Sequence, residues 1–437
     1  MGAERRGALI PGWLRPTERE EPVDTPKPYR IPKTLVLEAF KRVKANKGAA
    51  GTDHQSIAAF EADLKNNLYK IWNRMSSGSY FPPPVKAVEI PKKTGGTRIL
   101  GVPTVADRVA QTVVKLVLEP VVEPVFHPDS YGYRPGRSAG QALRVTRERC
   151  WRYNWILEFD IRALFDNIGH DLLMRAVRWH TDNPWVLLYI ERWLGAPFQR
   201  TDGTMEERPR GTPQGGVISP LLANLFLHYA FDAWMVRAHP DMPFARYADD
   251  AVVHCRTEVD AQRLKADLAQ RLAACGLALH PTKTRIVYCQ DSNRREPYSH
   301  TSFDFLGYTF RPRLSKGTSG QYFASFAPAV SRTAQTAMRQ AIRDWQLHLK
   351  TSHTLEDLAH MVNPIVRGWI QYYGQFHRSA LFGVLHHLNR ALVLWARRKY
   401  KKYKQQQRQA THWLGRIAQK QPELFVHWAS GFRPAVG

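Results

Sequence analysis

Phe244-Ala-Arg-Tyr-Ala-Asp-Asp-Ala-Val-Val-His-Cys-Arg256 is the stretch on which the fold turns. It runs apolar, breaks at a short polar turn, and resumes as Ala251-Val252-Val253. That pattern predicts strand, tight turn, strand, with Asp accommodated in the turn through local hydrogen bonds. Asp249 and Asp250 stand side by side at the tip. Adjacent carboxylates repel and are costly to bury, so a cation is their natural companion. Carboxylate oxygens suit hard ions such as Mg²⁺, which binds through one or two carboxylates plus substrate phosphates. The tip is therefore expected to carry part of a two-metal phosphoryl-transfer site. Tyr-x-Asp-Asp arises by chance about once in twenty-five chains of this length. A third carboxylate and phosphate-binding elements are needed elsewhere before it carries weight.

The third acid lies upstream. Trp155-Ile-Leu-Glu-Phe-Asp-Ile161 reads as a buried strand ending in Asp160. An Asp at the mouth of an apolar strand is expensive without a partner, which favours a ligand over a decorative charge. Phe165 follows on the turn before a helix near 171–180; its simplest role is core packing. Between the two acids, Gly211, Gly215 and Gly216 allow close backbone approach to a ligand. Ser219 is predicted to cap the next helix, with Pro220 at its first position. That helix carries Leu222, Leu225, Phe226, Tyr229 and Trp234 on one apolar face.

Further toward the N-terminus, residues 85–91 and 97–102 predict a hairpin around Thr94-Gly95-Gly96. Lys92, Lys93 and Arg98 crowd it, either to protect an exposed edge or to clamp a triphosphate. A helix is expected over 104–122. Ser130-Tyr-Gly-Tyr-Arg-Pro-Gly-Arg-Ser138 is a basic loop whose last residue caps a helix over 139–151. Arg134 and Arg137 either touch a nucleic-acid backbone or hold the loop together. Helices over 33–45 and 55–75 flank the Gly-rich Asn46–Asp53 loop, and the Pro-rich residues 1–30 read as a flexible tail.

Downstream, 259–275 reads as a helix, and Lys283 and Arg285 fall in the segment after it. Thr301–Phe310 is a short aromatic strand, and another hairpin turns at 315–320. From Ser331 helical patterns take over. Leu381, Leu385, Leu388, Leu392 and Trp395 share one helix face. Arg390, Arg397, Arg398, Lys401, Lys402 and Lys404 load the same segment with positive charge. Trp369, Tyr372, Tyr373 and Tyr403 fit RNA stacking and a packed core alike.

Composition sets the partner class. Lys plus Arg is 63 against 38 Asp plus Glu, a net charge of +25 with pI near 10.1. A folded chain this basic has a polyanion, most often nucleic acid, as its expected partner. Its 437 residues suffice for two or more cored domains. Four cysteines without C-x-x-C spacing read as buried thiols in a reducing compartment. No membrane-spanning run or signal-peptide core is present, so a cytoplasmic, non-secreted protein is expected.

The ordered set resembles a group II intron-encoded reverse transcriptase/maturase. The resemblance rests on Ile90–Pro103, Ser130–Ser138, Phe159–Ile168, Pro213-Gln-Gly-Gly216, Tyr247-Ala-Asp-Asp250 and Phe305-Leu-Gly-Tyr308, in family order. It implies an α+β right-hand polymerase, with fingers and palm built on antiparallel sheet, followed by an all-helical thumb/maturase domain. The implied boundaries are an N-terminal extension over 31–80, fingers and palm over 81–310, and a hairpin plus helical RNA-binding region over 311–437. Asp160, Asp249 and Asp250 match the acids around two Mg²⁺ ions, with Mn²⁺ as the substitute. Lys92 and Arg98 match triphosphate-binding cations. Ile161, Phe165, Gln214 and Gly215 match the remaining dNTP contacts, Phe165 being the gate against a 2′-hydroxyl. Lys283 matches a proton donor to pyrophosphate, and Phe305, Leu306, Gly307 and Tyr308 match the primer grip. Arg134, Arg137, Arg397, Arg398, Lys401 and Lys402 are candidate nucleic-acid contacts.

The implied partners are an RNA template, the RNA/DNA heteroduplex, group II intron RNA and dNTPs, with no membrane. Arg162-Ala163-Leu164 departs from the usual Lys-Gly-Phe, and no C-terminal endonuclease segment is expected. The alternatives are a host-adopted reverse transcriptase for DNA repair or defence, and a splicing maturase whose polymerase activity is secondary.

Overall fold

The computed structural model describes residues 27–91, 96–317 and 319–436. Residues 1–26 of the expected tail lie outside them, as do Lys92, Lys93 and most of the first hairpin turn. Residues 27–30, assigned to a flexible tail from sequence, are docked instead: Tyr29 N donates to the Ser76 carbonyl at 3.1 Å. Lys27 Nζ also sits 3.6 Å from the Trp72 ring centre.

Helix α1 (Lys33–Asn46) begins the regular structure. The single helix expected over 55–75 is two, α2 (Ile57–Ala62) and α3 (Leu64–Ser76). Asp63 breaks it, with non-helical φ −121° and ψ 48°. Strands β1 (Val85–Pro91) and β2 (Thr97–Val102) form the expected antiparallel hairpin. Helix α4 (Val105–Val122) follows, its N-terminus capped by Thr104. Ser138 closes a full capping box on α5 (Ala139–Cys150).

Strand β3 (Trp155–Asp160) leads into α6 (Leu164–Asn167), α7 (His170–His180) and α8 (Pro184–Leu194). The short β4 (Phe198–Gln199) and β5 (Met205–Glu206) extend the first sheet to the order β2-β1-β4-β5. The β1–β4 pairing is parallel, whereas the other pairings between the named strands are antiparallel. Helix α9 (Ser219–Leu227) passes into a π-helical turn (His228–Asp232) and α10 (Ala233–Ala238). Ser219 is not its cap: the helix starts from Ile218 without a side-chain cap, and the Ser219 hydroxyl meets Thr212 Oγ1 at 2.7 Å. Instead of one apolar face, nearly every residue of α9 is buried, because it runs through the middle of the core.

Strands β6 (Phe244–Tyr247) and β7 (Asp250–Cys255) are the hairpin predicted from the opening stretch. With β3 and β8 (Arg285–Tyr288) they form the central sheet, in the order β6-β7-β3-β8. Helix α11 (Glu258–Ala274) lies between them in sequence, with Thr257 and Asp260 in a capping box. Strands β9 (Phe303–Phe305), β10 (Tyr308–Lys316) and β11 (Tyr322–Val330) make a third sheet. The boundary expected at 310 therefore falls inside β10.

The central sheet is buried on both faces, which is why its strands read as near-continuous apolar runs. Leu157, Phe159, Ala251 and Val253 pack into the large core shared with α1–α4 and α6–α11. Ile156, Val252 and Val287 point the other way, onto Tyr131, Phe303, Tyr308 and Phe326. The C-terminal region has its own core among α12 (Arg332–Asp344), α13 (Leu355–Tyr373), α14 (Phe382–Lys399), α15 (Gln407–Lys420) and α16 (Val426–Ala429). Leu381, Leu385, Leu388, Leu392 and Trp395 are all fully buried there, as their spacing requires. All four cysteines are free and buried. The architecture is α+β.

Candidate active site

Strand register brings the acids together. In the antiparallel ladder Asp160, the last residue of β3, is the direct partner of Asp250, the first residue of β7. Directly opposed residues on antiparallel strands lie about 4.5–5.5 Å apart at Cα or Cβ. Asp249 occupies the two-residue turn between Tyr247 and Asp250, after Ala248 at φ +58°. Asp160 and Asp249 line one cleft of about 960 Å³ together with Arg98, Ile161, Phe165, Gln214 and Lys283. Asp250 lines the adjoining groove with Asp304, Leu306 and Gly307.

Charge crowding is visible in the titration of the acids. Burial, first, and then the Asp160 charge raise the Asp249 carboxyl above its ordinary value. Asp250 is open to solvent on one side. Enough protein surrounds it that desolvation, then Asp249 and Asp160, push it up to about 6. Lys283 Nζ forms an ion pair with Asp160 Oδ2, and that bond, before any other cause, raises the ammonium pKa. Glu158, on the same face of β3 as Asp160, is pushed up to about 7 by burial, against the pull of Arg285 at 2.9 Å.

Among the described residues, no group of three carboxylate, imidazole or thiol side chains is arranged to hold a metal ion. Of the three expected acids, Asp160 and Asp249 share the cleft, and Asp250, the ladder partner of Asp160, lines the adjoining groove. The two-acid set still fits Mg²⁺, which needs only one or two carboxylates when phosphate oxygens complete its shell. The Lys283 ammonium seated on Asp160 is a stand-in cation at the same oxygen.

The loop carrying Gln214 and Gly215 is built from backbone bonds. Gly211 N donates to the Ile168 carbonyl and Thr212 N to the Phe165 carbonyl, each at 2.7 Å. Gly101 N of β2 donates to the Gln214 carbonyl at 2.6 Å. Gly215 sits at φ +104°, and a Cβ there would come within 2.4 Å of the Gly101 carbonyl oxygen. Two residues not singled out from sequence complete the loop. Gln111 Oε1 accepts from Val217 N at 2.8 Å and Ile218 N at 3.3 Å. Asp107 receives Gln111 Nε2, Tyr80 Oη and Trp193 Nε1 at 2.8–2.9 Å. Their signal was an Asp and a Gln four apart in the first turns of a largely apolar helix. Tyr133, also unassigned from sequence, is half exposed at φ +58°, and its ring centre lies 6.5 Å from that of Tyr247.

Other candidates divide. Of the four expected primer-grip residues, Leu306, at φ +51°, and Gly307 reach the groove, whereas the rings of Phe305 and Tyr308 are buried in the core. Arg134 is corrected outright as a nucleic-acid contact. It is 8% exposed, and its guanidinium donates to Glu123, His127 O and Ser130 O. Arg137 is exposed. Arg397 is half-buried and donates to the Lys404 carbonyl at 3.1 Å, whereas Arg398, Lys401 and Lys402 are exposed. None of these four lines the cleft or the groove. Lys92 lies outside the described residues. The Asn46–Asp53 loop is docked on α4, where Arg108 donates to Lys47 O at 3.3 Å and Ala49 O at 2.6 Å.

Paired carboxylates at a β-hairpin tip, facing cations across a cleft in a strongly basic chain, define a nucleotidyl-transfer enzyme acting on nucleic acid. Residues 90–310 match the family described as reverse transcriptase (RNA-dependent DNA polymerase), and the chain belongs to it. Residues 335–413 match the group II intron, maturase-specific domain. Protein YkfC of Escherichia coli K12 is 30% identical over 320 residues, covering 64% of this chain and 81% of that protein. The group II intron-encoded protein LtrA of Lactococcus lactis is 33% identical over 203 residues, covering 46% of this chain and 33% of LtrA. A telomerase structure from Candida albicans matches with TM-score 0.45 and 12% identity, covering 86% of this chain and 67% of that one. The chain is an RNA-directed DNA polymerase by family. Among the described residues, no helix is long and apolar enough to cross a membrane.

Proposed function

We propose that the chain extends a primer 3′-hydroxyl on an RNA template at the cleft between the first two sheets, and that it binds group II intron RNA to promote splicing and mobility. One observation carries the reading: Asp160 is the ladder partner of Asp250, and with Asp249 it faces Arg98 and Lys283 across one cleft. In polymerase terms the first sheet is the fingers, the central sheet the palm, and α12–α16 the thumb.

Asp160 and Asp249 would hold two Mg²⁺ ions, or Mn²⁺ in their place, supplying hydroxyl activation and neutralisation of phosphate charge. The oxygen of the 3′-hydroxyl attacks the α-phosphorus while its proton passes to solvent water, and the bond from that phosphorus to the β-bridging oxygen breaks. Arg98 binds the triphosphate oxygens, a fixed cation where charge develops. Lys283, protonated and exposed, gives its proton to the leaving pyrophosphate. Phe165 packs against the deoxyribose, where a 2′-hydroxyl would clash. Gln214 and Gly215 floor the base pair, and Leu306 and Gly307 seat the primer terminus. The positive surface binds the heteroduplex through its phosphates.

The test is primer extension on an RNA template by Asp249→Asn. We expect kcat to fall on the order of 10³-fold, as removal of a charge stabiliser worth several kcal/mol implies, with primer–template affinity retained. Undiminished synthesis overturns the assignment. The RNA-binding reading is favoured by the match of residues 335–413 to the maturase-specific domain. It predicts that Asp249→Asn still promotes splicing of the flanking intron; loss of splicing in that variant overturns an independent maturase role.

A further inference from the structure

Arg246 lies on β6, two residues before the catalytic turn, and is 1% exposed. An unpaired guanidinium there would carry a desolvation cost of several kcal/mol or more. It is not unpaired. Nε and Nη2 donate to the two carboxylate oxygens of Asp232 at 2.7 and 2.6 Å. Nη1 donates to Asn224 Oδ1 and to the Ala248 carbonyl, each at 3.1 Å. Asp232 is 0% exposed and closes the π-helical turn. Such turns are rare and recur at functional sites.

The cluster reaches the turn from a second side. Asn224 Nδ2 donates to the Gly132 carbonyl at 2.6 Å. Gly132 packs so closely that a Cβ on it would approach Ala248 N to 2.4 Å. The Arg246 backbone completes the clasp, its N–H donating to Asp129 O at 2.9 Å and its carbonyl accepting from Tyr131 N at 2.8 Å. Between these supports Ala248 is left-handed, uncommon for a residue with a Cβ and held only where surroundings enforce it.

We propose that the buried Arg246–Asp232–Asn224 cluster is a positioning device for the catalytic turn, holding Ala248 left-handed and so aiming Asp249 into the cleft. It rests on the assignment of Asp249 made above. A buried ion pair that merely fills a core can often be replaced by apolar residues of similar volume at no loss. A filler has no need of a direct bond to the turn carbonyl or of a relay to Gly132. Arg246 touches no substrate and acts only through the turn.

The experiment compares Arg246→Lys with the paired Arg246→Met/Asp232→Leu. Lysine keeps the charge, but its three ammonium donors on one nitrogen cannot replace the four hydrogen bonds of the guanidinium fork, two to Asp232 and one each to Asn224 and Ala248 O. The apolar pair protects folding. Each variant is checked for its unfolding transition, then for kcat and KM for dNTP. Mn²⁺ affinity of the complex with primer–template and dNTP is read by electron paramagnetic resonance. Both variants should lose about 10- to 100-fold in Mn²⁺ affinity, the range for residues that orient metal ligands. kcat should fall with it, and KM for dNTP should hold. A folded variant with parental kcat and Mn²⁺ affinity overturns the proposal. If neither folds, Gly132→Ala presses on the turn without touching the ion pair. It must show the same signature, and parental behaviour overturns the proposal equally. Asp249→Asn is run in parallel: an active Asp249→Asn removes the underlying assignment, whereas an inactive one beside a fully active Arg246→Lys removes only the positioning role.

Discussion

Acidification should loosen the helical C-terminal region through one histidine. His427 is fully buried between α13 and α14, and burial holds its pKa down to about 3, against an ordinary 6.5. The hydrogen bonds explain why it cannot charge in place. Asn389 Oδ1 lies 2.8 Å from His427 Nε2 and 2.9 Å from Trp428 Nε1. An indole N–H only donates, so that oxygen must accept, and His427 Nε2 must carry the hydrogen. Nδ1 is left bare and buried without a partner. A proton there would be a charged donor with no acceptor. The folded pKa lies below the unfolded one, so the unfolded chain binds the extra proton first. The stability is therefore fully present above pH 6.5 and is lost as pH falls toward 3. At pH 5 the loss from this one group is about 2 kcal/mol relative to pH 7. The assay is reversible unfolding at both pH values for the parent and for His427→Gln, which does not titrate. The parent should lose about 2 kcal/mol more than the variant, and the comparison cancels His254, which burial shifts in the same direction. Parallel pH dependences would refute the reasoning.

Two further outcomes follow from the cleft. Phe165→Val should raise ribonucleotide incorporation about 10-fold or more, the worth of one pocket contact; competition between dNTP and rNTP measures it, and unchanged discrimination removes Phe165 from the gate. Gly215→Ala should raise the KM for dNTP about tenfold, because backbone strain of about 1–3 kcal/mol would be relieved only by moving the loop off Gly101. An unchanged KM would show that the loop does not floor the nucleotide.

Local chemistry was legible along the chain. The apolar–polar–apolar pattern at Phe244–Arg256 gave away its hairpin, Ser138 its cap, and the spacing of Leu381 to Trp395 its buried face, because each depends on neighbours a few residues apart. Register was not legible. That Asp160 faces Asp250 depends on how β3 and β7 align across a sequence separation of ninety, and no period in the sequence encodes such a pairing. Nor was it legible that Asp250 turns to the groove while Asp249 stays in the cleft. Arg134 and Arg246 make the point from the other direction. In the linear chain each is one more cation in a basic protein. In the folded one both are enclosed, with their donors already engaged. Whether a charge meets solvent or a carboxylate is decided by which distant elements close over it, and that is a property of packing alone.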